Sequence, residues 1–206
     1  QALFWDSAGD DKFLGWADRG LMVGAGYSND ARGFDTNTAY ASVGVDQAIF
    51  FDSAGDDRYL AWSHRAYQPG EGFFTDAFGF DSTVAHSING GNDRATMYDT
   101  HGDDVYTSWI GRTRLAGAGY SNEAYGFRQN WAFASIGNDT ATFHDGAGDD
   151  KILEAGAGKV SGDYGADRAE ANGVESATAY GDNGGTDTRS VAGALDYAFA
   201  EQGAWG

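Results

Sequence analysis

The 206-residue chain contains no cysteine, one proline, 13 basic residues and only six glutamates. Without cysteine it builds neither a disulfide framework nor a thiolate metal site, and its four histidines, His64, His86, His101 and His144, are too scattered to form a motif. The shortage of lysine and arginine argues against nucleic acid as a partner, because a phosphate backbone is held by clustered positive charge. No run of about 18 apolar residues occurs, so no membrane-spanning helix and no membrane partner are expected. The chain opens on Gln1 without a signal-peptide pattern, which reads as a processed or excised piece of a larger protein. What is abundant is glycine (32) and aspartate (25), and the net charge is −18. Both residues disfavour helix interiors and favour turns, so a helical protein is excluded. Low hydropathy with high charge points towards disorder, but 15% aromatic residues are far more than a solvated chain carries. The length suits one folded domain or one elongated array.

A fixed period decides between these. Phe4-Trp5-Asp6-Ser7-Ala8-Gly9-Asp10-Asp11 returns as Phe50-Phe51-Asp52-Ser53-Ala54-Gly55-Asp56-Asp57. It returns again as Met97-Tyr98-Asp99-Thr100-His101-Gly102-Asp103-Asp104 and as Phe143-His144-Asp145-Gly146-Ala147-Gly148-Asp149-Asp150. The leading aspartate moves from 6 to 52 to 99 to 145, steps of 46, 47 and 46 residues. A second signature keeps this register: Gly33-Phe34-Asp35, Gly79-Phe80-Asp81, Gly126-Phe127-Arg128 and the degraded Gly173-Val174-Glu175. A third is an aspartate after a Gly-rich turn, at Asp46, Asp93, Asp139 and Asp187.

Each copy divides into two stretches of about 23 residues, the coil length of a parallel β-helix, in which no coil buries its apolar face alone. The expected fold is all-β: a single-stranded, right-handed parallel β-helix (solenoid) over residues 1–189, with four repeats of two coils each, about eight coils in all. A propeller is the competing architecture, but its Trp-Asp and Gly-His blade signatures are missing. Residues 190–206 break the pattern with apolar residues at helix-like spacing. They are expected to cap the open end of the core, with Leu195, Phe199 and Trp205 facing inward.

Strand alternation assigns faces, because residues i and i+2 share one. Ala2/Ala48/Ala95/Ala141 and Phe4/Phe50/Met97/Phe143 are uniformly apolar and face the core, as do Phe13/Tyr59/Tyr106/Ile152 and Gly15/Ala61/Ser108. Outward go Trp5/Phe51/Tyr98/His144 and, sharing the parity of Lys12/Arg58/Val105/Lys151, the row Trp16, Trp62 and Trp109. Tyr40, His86, Phe133 and Tyr180 suggest a further outward row. Strands about 4.8 Å apart place residues two coils apart at roughly 9.5 Å, close to the two-residue repeat of a β-1,4-linked glycan at about 10 Å. Indole rings at that interval can stack on pyranose faces. His64, Arg65, Arg112 and Arg114 are the polar companions placed to bond sugar hydroxyls or a uronic acid branch, with Arg19 beside them. Structural cladding is the alternative use of such a row.

The Asp-rich turns stack carboxylates along one edge, and their repulsion must be offset by turn N–H groups, by water or by a divalent cation. Asx-type turns without metal are one reading. A structural Ca²⁺ held by Asp10, Asp11, Asp56, Asp57, Asp103, Asp104, Asp149 and Asp150 is the other, and no organic cofactor is expected.

The Asp-Ser-Ala-Gly-Asp-Asp and Gly-Phe-Asp repeats, over residues 1 to about 189, resemble Asp/Gly-rich tandem repeats of large secreted bacterial proteins. With the outward aromatic rows, the chain is similar to β-helical carbohydrate-binding modules appended to plant-polysaccharide hydrolases such as xylanases. That resemblance implies an extracellular, non-catalytic module of a multi-domain protein, binding a xylan-like plant or algal cell-wall glycan. Two other classes stay open. A polysaccharide lyase or epimerase would draw on His64, Arg65 and Tyr67 in the insertion with Pro69, together with Arg112, Arg114 and Lys159, for its acid, base and carboxylate-neutralising groups. A structural adhesin or surface-fibre repeat would need none of them.

Overall fold

The computed structural model describes residues 1–156, 158–181 and 183–205; positions 157 and 182 of the expected array and 206 of the expected cap lie outside the described residues. All regular structure among them is strand. The first copy forms β1 (Ala2–Trp5), β2 (Lys12–Trp16), β3 (Arg19–Gly24), β4 (Tyr27–Arg32) and β5 (Thr36–Tyr40). The second forms β6 (Gln47–Phe51), β7 (Arg58–Ala61), β8 (Arg65–Gly70), β9 (Phe73–Phe78) and β10 (Ser82–His86). The third forms β11 (Arg94–Tyr98), β12 (Val105–Trp109), β13 (Arg112–Gly117), β14 (Tyr120–Tyr125) and β15 (Gln129–Phe133). The fourth forms β16 (Thr140–His144), β17 (Lys151–Ala155), β18 (Lys159–Tyr164), β19 (Asp167–Asn172) and β20 (Ser176–Gly181), followed by β21 (Thr188–Val191) and β22 (Ala198–Gly203).

These strands make two 11-stranded sheets. The first runs β1-β5-β9-β8-β7-β11-β15-β19-β18-β17-β21 and the second β22-β20-β16-β12-β13-β14-β10-β6-β2-β3-β4. The stacked coils form a β-solenoid of about five turns, the all-β architecture expected from the period. Its path departs from two plain coils per copy. One strand lies in one sheet, the next three form an antiparallel meander in the other, and the fifth returns to the first sheet. Parallel pairing then joins the copies, as in β2 on β6 with Phe13 opposite Ala48, and β10 on β14 with Ala85 opposite Ala124. Three strands in one layer take up the residues that a further coil would need, so there are about five turns and not eight. The hairpins follow from two-residue loops with a left-handed glycine, Ala25-Gly26, Glu71-Gly72 and Ala118-Gly119, at φ values of 82°, 78° and 79°.

The meander has a second consequence: successive copies exchange sheets. β1 and β11 lie in the first sheet, whereas their repeat equivalents β6 and β16 lie in the second. Residues one period apart therefore sit on opposite outer faces.

The core lies between the sheets and follows the expected alternation. Phe4, Phe50, Met97 and Phe143 are buried, as are Phe13, Tyr59, Tyr106 and Ile152, with Gly15, Ala61 and Ser108 beside them. Each such large side chain contributes about 1.5–3 kcal/mol by leaving water. The meanders add Met22, Leu115 and Val160. The only proline lies on β8, where it cannot donate to a ladder; β7 and β8 share two residue pairs, against five between β2 and β3. The last segment is not helical. β21 pairs with β17 and β22 with β20, because the edge of each sheet carries unpaired N–H and C=O groups and a further strand satisfies them. Phe199 and Trp205 still pack against the core, and Leu195 is half-buried.

Candidate functional site

The aspartates of the turns have four distinct tasks, each repeated in every copy. The first, Asp6, Asp52, Asp99 or Asp145, accepts a backbone N–H of the neighbouring turn, from Ser42 at 2.6 Å, Ile88 at 3.0 Å, Ser135 at 2.6 Å and Asn183 at 2.9 Å. The second, Asp10, Asp56, Asp103 or Asp149, is exposed and does the same for Val45, Asn92, Asn138 and Thr186 at 2.8–2.9 Å. The third, Asp11, Asp57, Asp104 or Asp150, closes its own turn on the N–H four residues earlier, at 2.6–2.9 Å. The fourth, Asp46, Asp93, Asp139 or Asp187, is buried and accepts the N–H of the third at 2.7–3.0 Å. Turn backbone donors thus offset the repulsion between carboxylates. Glycine is needed where turns stack: a Cβ on Gly91 or Gly185 would lie 2.0 Å from the carbonyl oxygen of Gly55 or Gly148.

Three trios bring carboxylate oxygens within 4.8 Å of one another and can hold a metal ion: Asp6/Asp11/Asp46, Asp99/Asp104/Asp139 and Asp145/Asp150/Asp187. Asp10, Asp56, Asp103 and Asp149, expected as ligands, lie outside these groups. Asp57 does too; among the described residues the second copy makes no such trio, and there Ser87 donates to Asp93 at 2.6 Å. Burial raises the pKa of Asp139 to about 6, and its Oδ2 is a buried acceptor without a donor. Asp46 and Asp150 are likewise raised by burial, whereas Asp11 is lowered: the N–H of Ser7 and the hydroxyls of Tyr27 and Ser7 outweigh the larger desolvation that opposes them.

The outward aromatics form two ladders with different membership from the rows read in the sequence. Trp16 and Trp109 lie on the second sheet and Trp62 on the first, so the three tryptophans make no single row; the exchange of sheets between copies separates them. On the first sheet Trp5, Tyr40 and Phe78 stack at 5.2–5.8 Å. Arg65 covers both Phe78 and Tyr67, and Tyr67, Trp62, Tyr98 and Phe133 continue the stack. On the second sheet the order is Arg19, Trp16, Phe51, His86, Tyr125, Arg112, Trp109, His144 and Tyr180. From β1 to β15 on the first sheet and from β3 to β20 on the second, each strand or its end supplies one member, with Tyr67 added on the first sheet. Burial in this stack lowers the pKa of His86 and His144, which favours neutral imidazoles.

The stacking governs what the ladders can do. The faces of Trp16, Trp62 and Trp109 are occupied by neighbouring rings or guanidinium groups, so their edges meet solvent. Trp5, 61% exposed at the end of its ladder, keeps one face open. The companion arginines are struts: Arg65 pairs with Asp76 at 2.7 Å and Arg112 with Glu123 at 3.0 Å, while Arg114 bonds Ser121 at 2.9 Å. His64 is exposed in the β7–β8 turn.

Sequence reasoning passed over a recess of about 580 Å³ on the outer face of the first sheet, beside the Phe133 end of its ladder. Trp131 lines it, two residues before Phe133 on the same strand face, with the Arg94 guanidinium 4.5 Å from the centre of the indole. Arg128, Lys159 and Arg168 also line it, and Arg58 sits beside Arg94 in register. Glu170 pairs with Lys159 at 3.0 Å and with Arg168 at 3.4 Å. The signal that finds this place is departure from the repeat: Trp131 stands where the other copies have Thr38, Val84 and Thr178, and Arg128 where they have Asp35, Asp81 and Glu175. Comparison of the chain with protein-family models, with curated proteins and with solved structures returns no match.

Proposed function

We propose that the protein is a non-catalytic polysaccharide-binding module of a larger extracellular protein, recognising an extended β-1,4-linked, xylan-like cell-wall glycan. The observation that carries this reading is the pair of outward ladders running along the solenoid axis, one on each sheet. A linear polymer can follow such a strip for many residues, meeting ring edges and arginine N–H groups along its length and a full ring face at Trp5. Binding fits better than catalysis because the lyase candidates do not converge: Arg65 and Arg112 are held in separate ladders by carboxylates, and His64 projects from a turn. Within the same reading the three aspartate trios take Ca²⁺ as a structural ion. Their all-oxygen donor sets suit a hard cation, and the donorless Oδ2 of Asp139 is an acceptor left for it.

The test is native affinity electrophoresis in gels containing xylan, β-glucan or mannan. Retardation of the wild-type chain is expected in at least one gel, reduced severalfold by Trp5→Ala and by Trp62→Ala with unchanged circular dichroism. Unretarded migration in all three overturns neutral-glycan binding and leaves the structural-fibre class. Release of unsaturated uronates from alginate or pectate would show a lyase instead.

A further inference from the structure

The recess around Trp131 and the smaller one adjoining it at Asn92 and Gln129 together gather five of the 13 basic residues of a chain with net charge −18. With 31 acids in the chain, a basic side chain can readily find a carboxylate, and most of the 13 do. Arg58, Arg94 and Arg128 make no ion pair among the described residues, although Asp56 and Asp57 lie at the far end of this surface. The Nε of Arg94 is buried without an acceptor, and its guanidinium carbon lies over the Trp131 ring, 4.5 Å from the centroid.

The repeat acts as an internal control for what the fold requires. At the position of Arg128, Asp81 caps the N–H of Asp46 at 2.8 Å and Glu175 caps that of Asp139 at 2.7 Å. Arginine has no acceptor, so the third copy gives up this cap and gains a cation. Arg94 replaces Gln1, Gln47 and Thr140, and Trp131 replaces two threonines and a valine. Three departures from the repeat converge on one recess, and none of them serves a turn or the core.

We propose that this recess binds the carboxylate groups of a uronic-acid-containing glycan. The proposal rests on the polysaccharide reading and names its ligand class. A guanidinium fixed against an indole offers its N–H edge to a planar carboxylate, the geometry for two parallel hydrogen bonds. The adjoining indole supplies apolar surface for a pyranose ring. Arg94 and Arg168 flank Gln129 on successive strands, so they stand about 9.6 Å apart. At that spacing the two cations can meet two carboxylates of one extended polyuronate chain. The local cations also answer how so acidic a molecule approaches a polyanion: it does so by this face.

Isothermal titration with polygalacturonate tests this, with its fully methyl-esterified form, neutral xylan and duplex DNA as comparators. The wild-type chain is expected to bind polygalacturonate, more weakly as salt rises, and to bind the esterified polymer at least tenfold more weakly. Arg94→Gln/Arg128→Gln should lose at least tenfold, whereas Lys12→Gln/Arg32→Gln, an equal charge change elsewhere, should stay within twofold. Arg128→Asp restores the residue type of the other copies, so it should fold normally and still lose binding. Equal losses in both double variants, unchanged affinity of Arg128→Asp, or equal binding of the esterified polymer overturns the assignment. Binding of xylan without polygalacturonate overturns the recess and leaves the glycan reading intact. Binding of DNA in place of polygalacturonate, or of no polymer, also overturns it.

Discussion

Tyr27 and Tyr120 each donate a hydroxyl to a turn-closing carboxylate, Asp11 and Asp104, at 2.9 Å. The second copy has Phe73 at that place, and Oδ1 of Asp57 is left buried without a donor. Phe73→Tyr is therefore expected to stabilise the protein by about 1 kcal/mol, and Tyr120→Phe to cost a similar amount. Chemical denaturation reads both, and unmoved midpoints would sink the account. Glycine at the end of the second meander strand belongs to the same arrangement, since a Cβ on Gly117 would fall 1.7 Å from Oδ1 of Asp104. At this scale the sequence was informative about which residues repeat and silent about their partners. The hydrogen bond from the N–H of Asp11 to the carboxylate of Asp46 spans 35 residues, and no local pattern encodes it.

Each meander is clasped by one diagonal ion pair at the same place: Arg19–Asp30, Arg65–Asp76, Arg112–Glu123 and Lys159–Glu170, at 2.7–3.0 Å. In the second copy the acid is nearly buried and the base about one-third exposed, and the guanidinium also fills the gap between Phe78 and Tyr67. Arg65→Gln should cost about 2 kcal/mol, below the roughly 3–5 of a fully buried pair because Arg65 stays partly in water. Adding Asp76→Asn should return part of that, since the stranded charge is then gone; a double variant no more stable than the single would refute this. The meanders themselves were not read from the sequence. Their loops, such as Ala25-Gly26, lack the Asn-Gly or Asp-Gly signature of a two-residue hairpin, so three strands passed as parts of two coils.

For the whole molecule, pH and divalent cation should act together. Asp46, Asp57, Asp99, Asp139 and Asp150 all have folded-state pKa values raised chiefly by burial, Asp139 to about 6. The folded state then binds these protons more tightly than the unfolded chain, whose carboxylates titrate near 4. Stability in chelator should fall as pH rises from about 4 to about 6 and level off above. Asp11, lowered in the fold, acts in the opposite sense and only at lower pH. Added Ca²⁺ needs ionised ligands, so it should raise the melting temperature at pH 7 and leave it unmoved at pH 4.5. Melting curves at both pH values with Ca²⁺ or chelator decide it, and stability that rises steadily from pH 4.5 to 7 in chelator would contradict the assignment.

The sequence alone determined that the chain is an all-β array of four copies, which side chains of the strands flanking the Asp-rich turns enter the core, and that aspartate and glycine belong to its turns. These are properties of short-range chemistry and of a period, and both are written along the chain. Only the tertiary structure decided that each copy folds a meander and that copies alternate between sheets. The same folding divides the tryptophans between two faces and turns their ring faces towards neighbours. It also gathers Arg94, Arg128 and Trp131 into one recess. The meander hairpins are local, but the rest depends on which strand pairs with which across about 35 residues or more, a choice made by closing hydrogen-bond ladders and filling one shared core.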